Sequence, residues 1–353
     1  MPSQILHVLH GRAVCTTLGS GALLTAENYH YFCLGCQGPD IFYHNQRTRP
    51  SALEYGSLLH RRKYGDFSAE LLLRVIATRS SSALHEKALA FAQGFLLHAF
   101  LDRALHPYII SRTGSRISDQ DAAGSGYSIS TARLHMFLER IIDSIMVKRL
   151  DSVSASFWPQ RTLLAGPAAH GREIIAPFVE GALRAIFPER ALKDRLLGAR
   201  LENTFADAAF FYDATSSESG SASGLMRDRI SRLDHDKGLA ATAYLHPENV
   251  QDEADFCNFG HAPWLDPCSA GTPRTESVED LYAAAVRDAC SALKPYWGHW
   301  DTAGQVGLAE AIGNGNLSLS GPDGKRCQAL YFSSLDIGGA LRDEFEGRRA
   351  QDF

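Results

Sequence analysis

Apolar residues recur every three to four positions near 5–18, 51–64, 68–79, 82–106, 130–149, 172–185, 189–211, 276–296 and 334–348, the period of helices that bury one face. The pattern predicts a mainly α fold. Alternation with a period of two is scarce, and its best example is 316–332, NLSLSGPDGKRCQALYF, where alternating residues flank a Gly-Pro-Asp-Gly turn. That segment predicts a small hairpin near the C-terminal end. The low-complexity run 214–224, ATSSESGSASG, reads as a surface loop, and 245–275, rich in Pro, Asp, Asn and His, as an irregular connection. No internal repeat interrupts this order. The chain therefore reads as one elaborated domain over 1–353, with residues 151–353 wrapping an N-terminal half, 1–150, that holds the candidate chemistry.

The polar residues inside two of the most apolar segments change the picture. In GFLLHAFLDRALHPY, residues 94–108, His98, Asp102 and His106 stand four apart; in ARLHMFLERIID, residues 132–143, so do His135 and Glu139. Residues four apart lie on neighbouring turns of one helical face, so each pair can aim two ligand atoms at one ion. A histidine or carboxylate on a helix is more commonly solvated. Here, however, Phe95, Leu96, Leu97, Phe100, Leu101 and Leu105 surround one set, and Met136, Phe137, Leu138, Ile141 and Ile142 the other. Such helices are expected to be buried, and a buried carboxylate needs a counter-charge or a metal.

Upstream, Cys36-Gln-Gly-Pro-Asp40 places an aspartate on a rigid Gly-Pro-Asp bend, and Gly56-Ser-Leu-Leu-His60 adds another histidine. Mixed imidazole and carboxylate ligands with water in the open positions favour zinc. Closely spaced zinc ions lower the pKa of a bridging water, so a zinc-bound hydroxide exists at neutral pH and can attack phosphorus in line. Asp40 is then a ligand, a general base, or both.

The order GPD, H, HxxxDxxxHP, HxxxE resembles the zinc-dependent phospholipase C family, whose helical fold is shared with single-strand-specific zinc nucleases. HAPW at 261–264, a Pro-containing loop and the helix from Val278 are similar to the later part of bacterial members. The resemblance implies a first zinc on Asp40, His60, His98 and Asp102, a second on His106, His135 and Glu139, and Asp102 bridging to a third. In the family the third ion takes an early histidine and the amino group of an N-terminal Trp. His7 matches that histidine, with His10 next. No Trp stands near the start, where an amine exposed at Pro2 would be the substitute. Two to three zinc ions are thus expected, with Asp40 and Asp102 as the catalytic carboxylates. The implied activity is hydrolysis of a phosphodiester, with a phospholipid as substrate.

Composition narrows the partners. With 353 residues and a net charge of −5, the chain offers no basic nucleic-acid surface, and no stable nucleic-acid partner is expected. No apolar stretch reaches the roughly 18 residues of a membrane span, and Gln4, His7, His10 and Arg12 near the start argue against an export leader. The Cys33-Leu-Gly-Cys36 pair has no matching second pair, so the seven cysteines read as buried free thiols of a cytoplasmic protein.

Asp143 continues the His135, Glu139 series, either as a hydrogen-bond partner of a ligand imidazole or as a solvated group. Phe42, Tyr43 and Tyr55 are pocket candidates whose alternative is ordinary core. His30, His44, His85, His170, His235, His246 and His299 show no suggestive spacing, and His261 and Trp264 read as packing residues. Three rival functions remain: a zinc nuclease or nucleotidase, a small-molecule phosphoesterase of specialised metabolism, and a metal-stabilised binding protein without turnover. The first wants aromatic platforms that stack bases, and Trp158, Trp264, Trp297 and Trp300 all lie away from the metal motif in sequence. The last is disfavoured because a structural site closes with four ligands.

Overall fold

The computed structural model describes residues 4–19, 26–78, 83–114, 129–216, 233–247, 254–269, 273–300, 304–321 and 325–350, with 218, 230, 250 and 271 as single residues. The first half carries α1 (Gln4–Thr17), α2 (Ala26–Cys36), a 3-10 turn (Gly38–His44), α3 (Leu53–Arg61), α4 (Tyr64–Ala77), α5 (Ala83–Thr113) and α6 (Thr131–Asp151). The second carries α7 (Ala176–Ile186), α8 (Leu197–Thr215), α9 (His235–Thr242), α10 (Val278–Leu293), α11 (Gln305–Ile312) and α12 (Ile337–Ala350). The fold is mainly α, as the periodicity predicts.

The 31-residue α5 is the axis of the molecule. Its apolar residues run round the whole circumference, which is the pattern of a helix covered on every side: Phe95, Leu96, Leu97, Ala99 and Leu101 are all buried. Helix α2 packs along it at close range, because a Cβ at Gly94 would meet the carbonyl oxygen of Phe32 and one at Gly35 that of Phe91. Helix α4 lies against α5, α7 and α11, while α1, α6 and α10 cover the other flank. The N-terminus of α1 is held by Asp143 of α6, whose carboxylate accepts the backbone N–H groups of Gln4 (2.8 Å), Ile5 (3.1 Å) and Leu6 (2.8 Å). A carboxylate there satisfies donors that the helix leaves free and complements its dipole.

Several expectations change. Helix α5 does not end before Pro107 but continues to Thr113. Proline removes one N–H, yet the turns beyond it are retained by tertiary contacts: Tyr108 and Ile109 are buried, and the Arg112 guanidinium donates to Ser333 O and Asn258 Oδ1. Helices α2, α9 and α11 have no counterpart among the predicted segments. In α2 the run Tyr31–Cys36 is buried throughout, so no polar face marks a period. The late hairpin reduces to one bridge between Ser320 and Arg326, with Pro322–Gly324 outside the described residues. The chain beyond it bonds elsewhere, Leu330 N to Pro267 O and Ser333 N to Ser111 O. Among the described residues no regular strand forms. Most of the predicted 214–224 loop, residues 217 and 219–224, lies outside the described residues, and Ala214 and Thr215 end α8. Cys268 and Cys327 form a disulfide, which corrects the reading of seven free thiols; Cys15, Cys33, Cys36, Cys257 and Cys290 are free. No described helix is long and apolar enough to cross a membrane.

Candidate metal centre

The eight expected ligands come from five elements. Asp40 stands on the 3-10 turn, His60 at the end of α3, His98, Asp102 and His106 on α5, His135 and Glu139 on α6, and His7 on α1. They meet in one buried region. His7, Asp40, His98 and Asp102 each bring a ligand atom within 4.8 Å of the others, as do His106, His135 and Glu139. His60 adjoins the first group, its Nε2 3.0 Å from Asp40 Oδ1 and 3.7 Å from Asp102 Oδ2. Asp102 is the hub: Oδ1 lies 3.2 Å from His7 Nε2, and Oδ2 lies 3.1 Å from His98 Nε2 and 3.6 Å from His106 Nδ1. His106 links the groups, because its Nε2 is 3.8 Å from Glu139 Oε1, itself 3.1 Å from His135 Nε2.

Hydrogen bonding assigns the tautomers of three of these imidazoles. His60 Nδ1 faces Gly56 O at 2.8 Å, His98 Nδ1 faces Cys36 O at 3.2 Å and His106 Nδ1 faces Leu317 O at 3.2 Å. A carbonyl only accepts, so each Nδ1 carries the proton and each neutral ring leaves a lone pair on Nε2. Those lone pairs point at carboxylate oxygens. Asp40 lies 3.0 Å from His60 Nε2 and 3.3 Å from His98 Nε2, yet neither of its oxygens receives a hydrogen bond. Lone pairs facing lone pairs in a buried site call for a cation between them. Two atoms on one tetrahedral zinc sit about 3.3 Å apart when metal–ligand distances are roughly 2.0–2.1 Å, and the separations here bracket that value. The residues present fit zinc.

The electrostatics agree. Burial pushes the Asp40 carboxyl well above the usual carboxylate range, which favours a proton or a bound cation on it. Burial also lowers His7 to about 4, with the neighbouring His98 adding to the shift, and it lowers His60 and His135. In the metal-free chain burial acts in the opposite direction on Asp102, but the protonated forms of His106 and His98, the latter raised by Asp102 and Asp40, outweigh it and hold the carboxyl well below its ordinary value; a bound cation takes the place of those protons.

A cleft opens from this region to the surface. One lobe, a cavity of about 390 Å³, is lined by Asp40, His60, His106 and His135 together with Tyr43 and Arg133. Tyr43, one of the three aromatic pocket candidates, lies on this wall, whereas Phe42 is core and Tyr55 is buried with its hydroxyl donating to Asp194. His10 is buried against Tyr282 and outside both metal-ligand groups. Asp143 is neither solvated nor bonded to a ligand imidazole; besides anchoring α1 it meets Nε2 of His246 at 3.0 Å. His246 and His44 are buried, the latter stacked on Phe211. Trp264 packs inside as expected, while His261 is exposed. Pro2 lies outside the described residues. The sequence analysis did not single out Leu317 and Ser318, which reach the site from the C-terminal part: Leu317 N donates to His60 O and its carbonyl faces His106. A backbone contact 211 positions away leaves no local signal.

The Gly-Pro-Asp bend is built around His98. Gly38 has φ of 53°, and a Cβ there would overlap the His98 ring. Gly38→Ala is therefore expected to displace that imidazole, lowering metal content and kcat/KM on the order of 10–100-fold. Wild-type values for both in the folded variant would contradict this account.

Comparison with known proteins follows the same lines. A family model for zinc dependent phospholipase C matches residues 5–191, the stretch that supplies all eight of these side chains. No curated protein and no solved structure matches the chain. With more than half of its length matched, the chain belongs to the zinc-dependent phospholipase C family.

Proposed function

We propose that the protein is a zinc-dependent phosphoesterase that hydrolyses a phosphodiester, phospholipase C-like, with a phospholipid as substrate, and that the chain works as one unit around a single site. The observation that carries this reading is the set of three imidazoles tied by Nδ1 to backbone carbonyls, with Nε2 turned toward buried carboxylates at the floor of an open cleft. Asp40, His60, His98 and Asp102 would hold one ion, His106, His135 and Glu139 a second, and His7 with Asp102 part of a third. Zinc bound there supplies Lewis acidity toward phosphoryl oxygens and a nucleophilic water at neutral pH.

The chain's own groups do the rest. Asp40, buried and unbonded at both oxygens, accepts the proton that the attacking water gives up. Burial pushes the Tyr43 hydroxyl to about 12, so it stays protonated and donates toward the substrate. Arg133, on the wall of the same lobe, offers a guanidinium to the phosphoryl oxygens. The tryptophans give the rival nuclease reading no support, since Trp158, Trp264, Trp297 and Trp300 are all buried and none lines the cleft among the described residues, where Tyr43 and Tyr244 are the aromatic wall.

Zinc-loaded protein should hydrolyse bis(p-nitrophenyl) phosphate, lose that activity with a chelator and regain it with zinc. No turnover by protein that demonstrably holds zinc would leave the binding-protein reading in its place. Short-chain phospholipids, single-stranded DNA and nucleoside monophosphates then separate the substrate classes.

A further inference from the structure

The cleft has a second lobe. It encloses about 510 Å³ and shares Tyr43, His60, Ile110 and Ser318 with the lobe over the metal ligands. Its far wall carries Arg61, next to His60, and Arg326, next to the disulfide that ties Cys327 to Cys268. No aspartate or glutamate lines this lobe among the described residues. Ser57, Asn316 and Gln328 add polar groups, and Leu319 and Ala329 apolar ones.

Some exposed arginines have carboxylate partners, as Arg149 with Glu279 at 2.6 Å, Arg161 with Asp213 at 3.0 Å and Arg172 with Glu202 at 3.3 Å, while others, such as Arg195 and Arg287, have no ion pair among the described residues. Among the described residues neither Arg61 nor Arg326 has an ion pair. The overall charge is −5, so a lobe whose described lining holds two arginines and no acid is not a by-product of a basic composition. Ile110, Leu319 and Ala329 give the lobe some apolar wall, but it offers a quaternary ammonium no carboxylate among the described residues. Guanidinium groups with free donors suit phosphate or carboxylate. The tether at Cys327 holds the segment bearing Arg326 against the cleft rather than leaving it to be ordered on binding.

We propose that this second lobe binds a further anionic group of the substrate, so that the protein selects phosphodiesters with an anionic head group over zwitterionic choline esters. The inference rests on the phosphodiesterase reading and specifies its substrate class. The scissile phosphoester lies over the metal ligands while Arg61 and Arg326 hold a second phosphate or a carboxylate carried by the same molecule.

The test uses the full-length, zinc-loaded protein and compares kcat/KM for dihexanoyl phosphatidylinositol 4-phosphate, its deacylated glycerophosphoinositol 4-phosphate, dihexanoyl phosphatidylcholine and bis(p-nitrophenyl) phosphate. The anionic esters should exceed the choline ester by about tenfold or more, and Arg61→Gln and Arg326→Gln should each cut that ratio about tenfold, the value of one charge-assisted hydrogen-bonding group. The lipid outpacing its deacylated form assigns the anion to a lipid head group, and the reverse to a soluble ester; either supports the proposal. Equal or better turnover of the choline ester, or variants that slow every substrate alike, overturns it. Failure to hydrolyse even bis(p-nitrophenyl) phosphate overturns the underlying phosphodiesterase reading, and this proposal with it.

Discussion

Asp102→Asn is expected to lower phosphodiester hydrolysis on the order of 10³-fold, the consequence of losing several kcal/mol of stabilisation in the transition state. No other carboxylate serves so many partners. His7 lies at one oxygen, and His98, His60 and His106 at the other. Asparagine keeps the shape but exchanges an anionic acceptor for a neutral group with an N–H donor, so an imidazole on one side loses its counter-charge and any ion shared through both oxygens loses a bridge. Metal content should fall by more than one ion per chain. The loss would be local, because Asp102 sits within α5 and its substitution removes no buried apolar contact. Metal analysis and rates on the folded variant decide the matter; native rate and native metal together would refute the hub role.

Stripping the metal is expected to destabilise the protein, and more so at pH 8 than at pH 6. A ligand present at a thousand times its dissociation constant stabilises by about 4 kcal/mol. An unfolding entropy of about 2.1 cal/mol/K per residue over 353 residues converts that to a Tm shift of about 5 °C per ion. The pH dependence follows from competition between metal and protons. In the metal-free fold burial raises the Asp40 carboxyl, so a proton competes with the cation for it as pH falls; acid thus weakens binding and narrows the gap between loaded and stripped protein.

A second effect acts on both forms. Burial lowers His10 to about 3 and, in the stripped protein, His7 to about 4. A histidine near 6.5 in the unfolded chain then takes up its proton before the folded one does. Its contribution is complete above pH 6.5 and is lost as pH falls toward those lower values, at a cost of several kcal/mol. Thermal melts with and without chelator across pH 5–8 test both. A gap that stays constant or widens in acid would contradict the competition.

Much of the centre was legible because helices repeat. His98, Asp102 and His106, and His135 and Glu139, stand four apart, and that spacing puts them on one face whatever surrounds the helix. Their apolar neighbours announced burial, and burial of carboxylates announced the need for a cation. The 3-10 turn at Gly38–His44 carries Asp40 where the Gly-Pro-Asp motif led one to look. Asp143 shows the limit of the same logic: the period continues through it, but the fold turns it onto the backbone of α1, because spacing gives a direction on a helix and not the neighbour found there.

The sequence by itself determined the mainly α class and the polar residues that stand together on each helix, since both follow from local geometry and from the cost of burying charge. Only the tertiary structure decided how those helices meet. The contact of Gly35 and Gly94 that draws α2 onto α5, the Leu317 carbonyl that turns His106, the disulfide at Cys327 and the pairing of Arg61 with Arg326 in one lobe join positions tens to hundreds of residues apart. Chain separation leaves no periodic trace in composition or spacing; such contacts arise when buried surfaces close on one another.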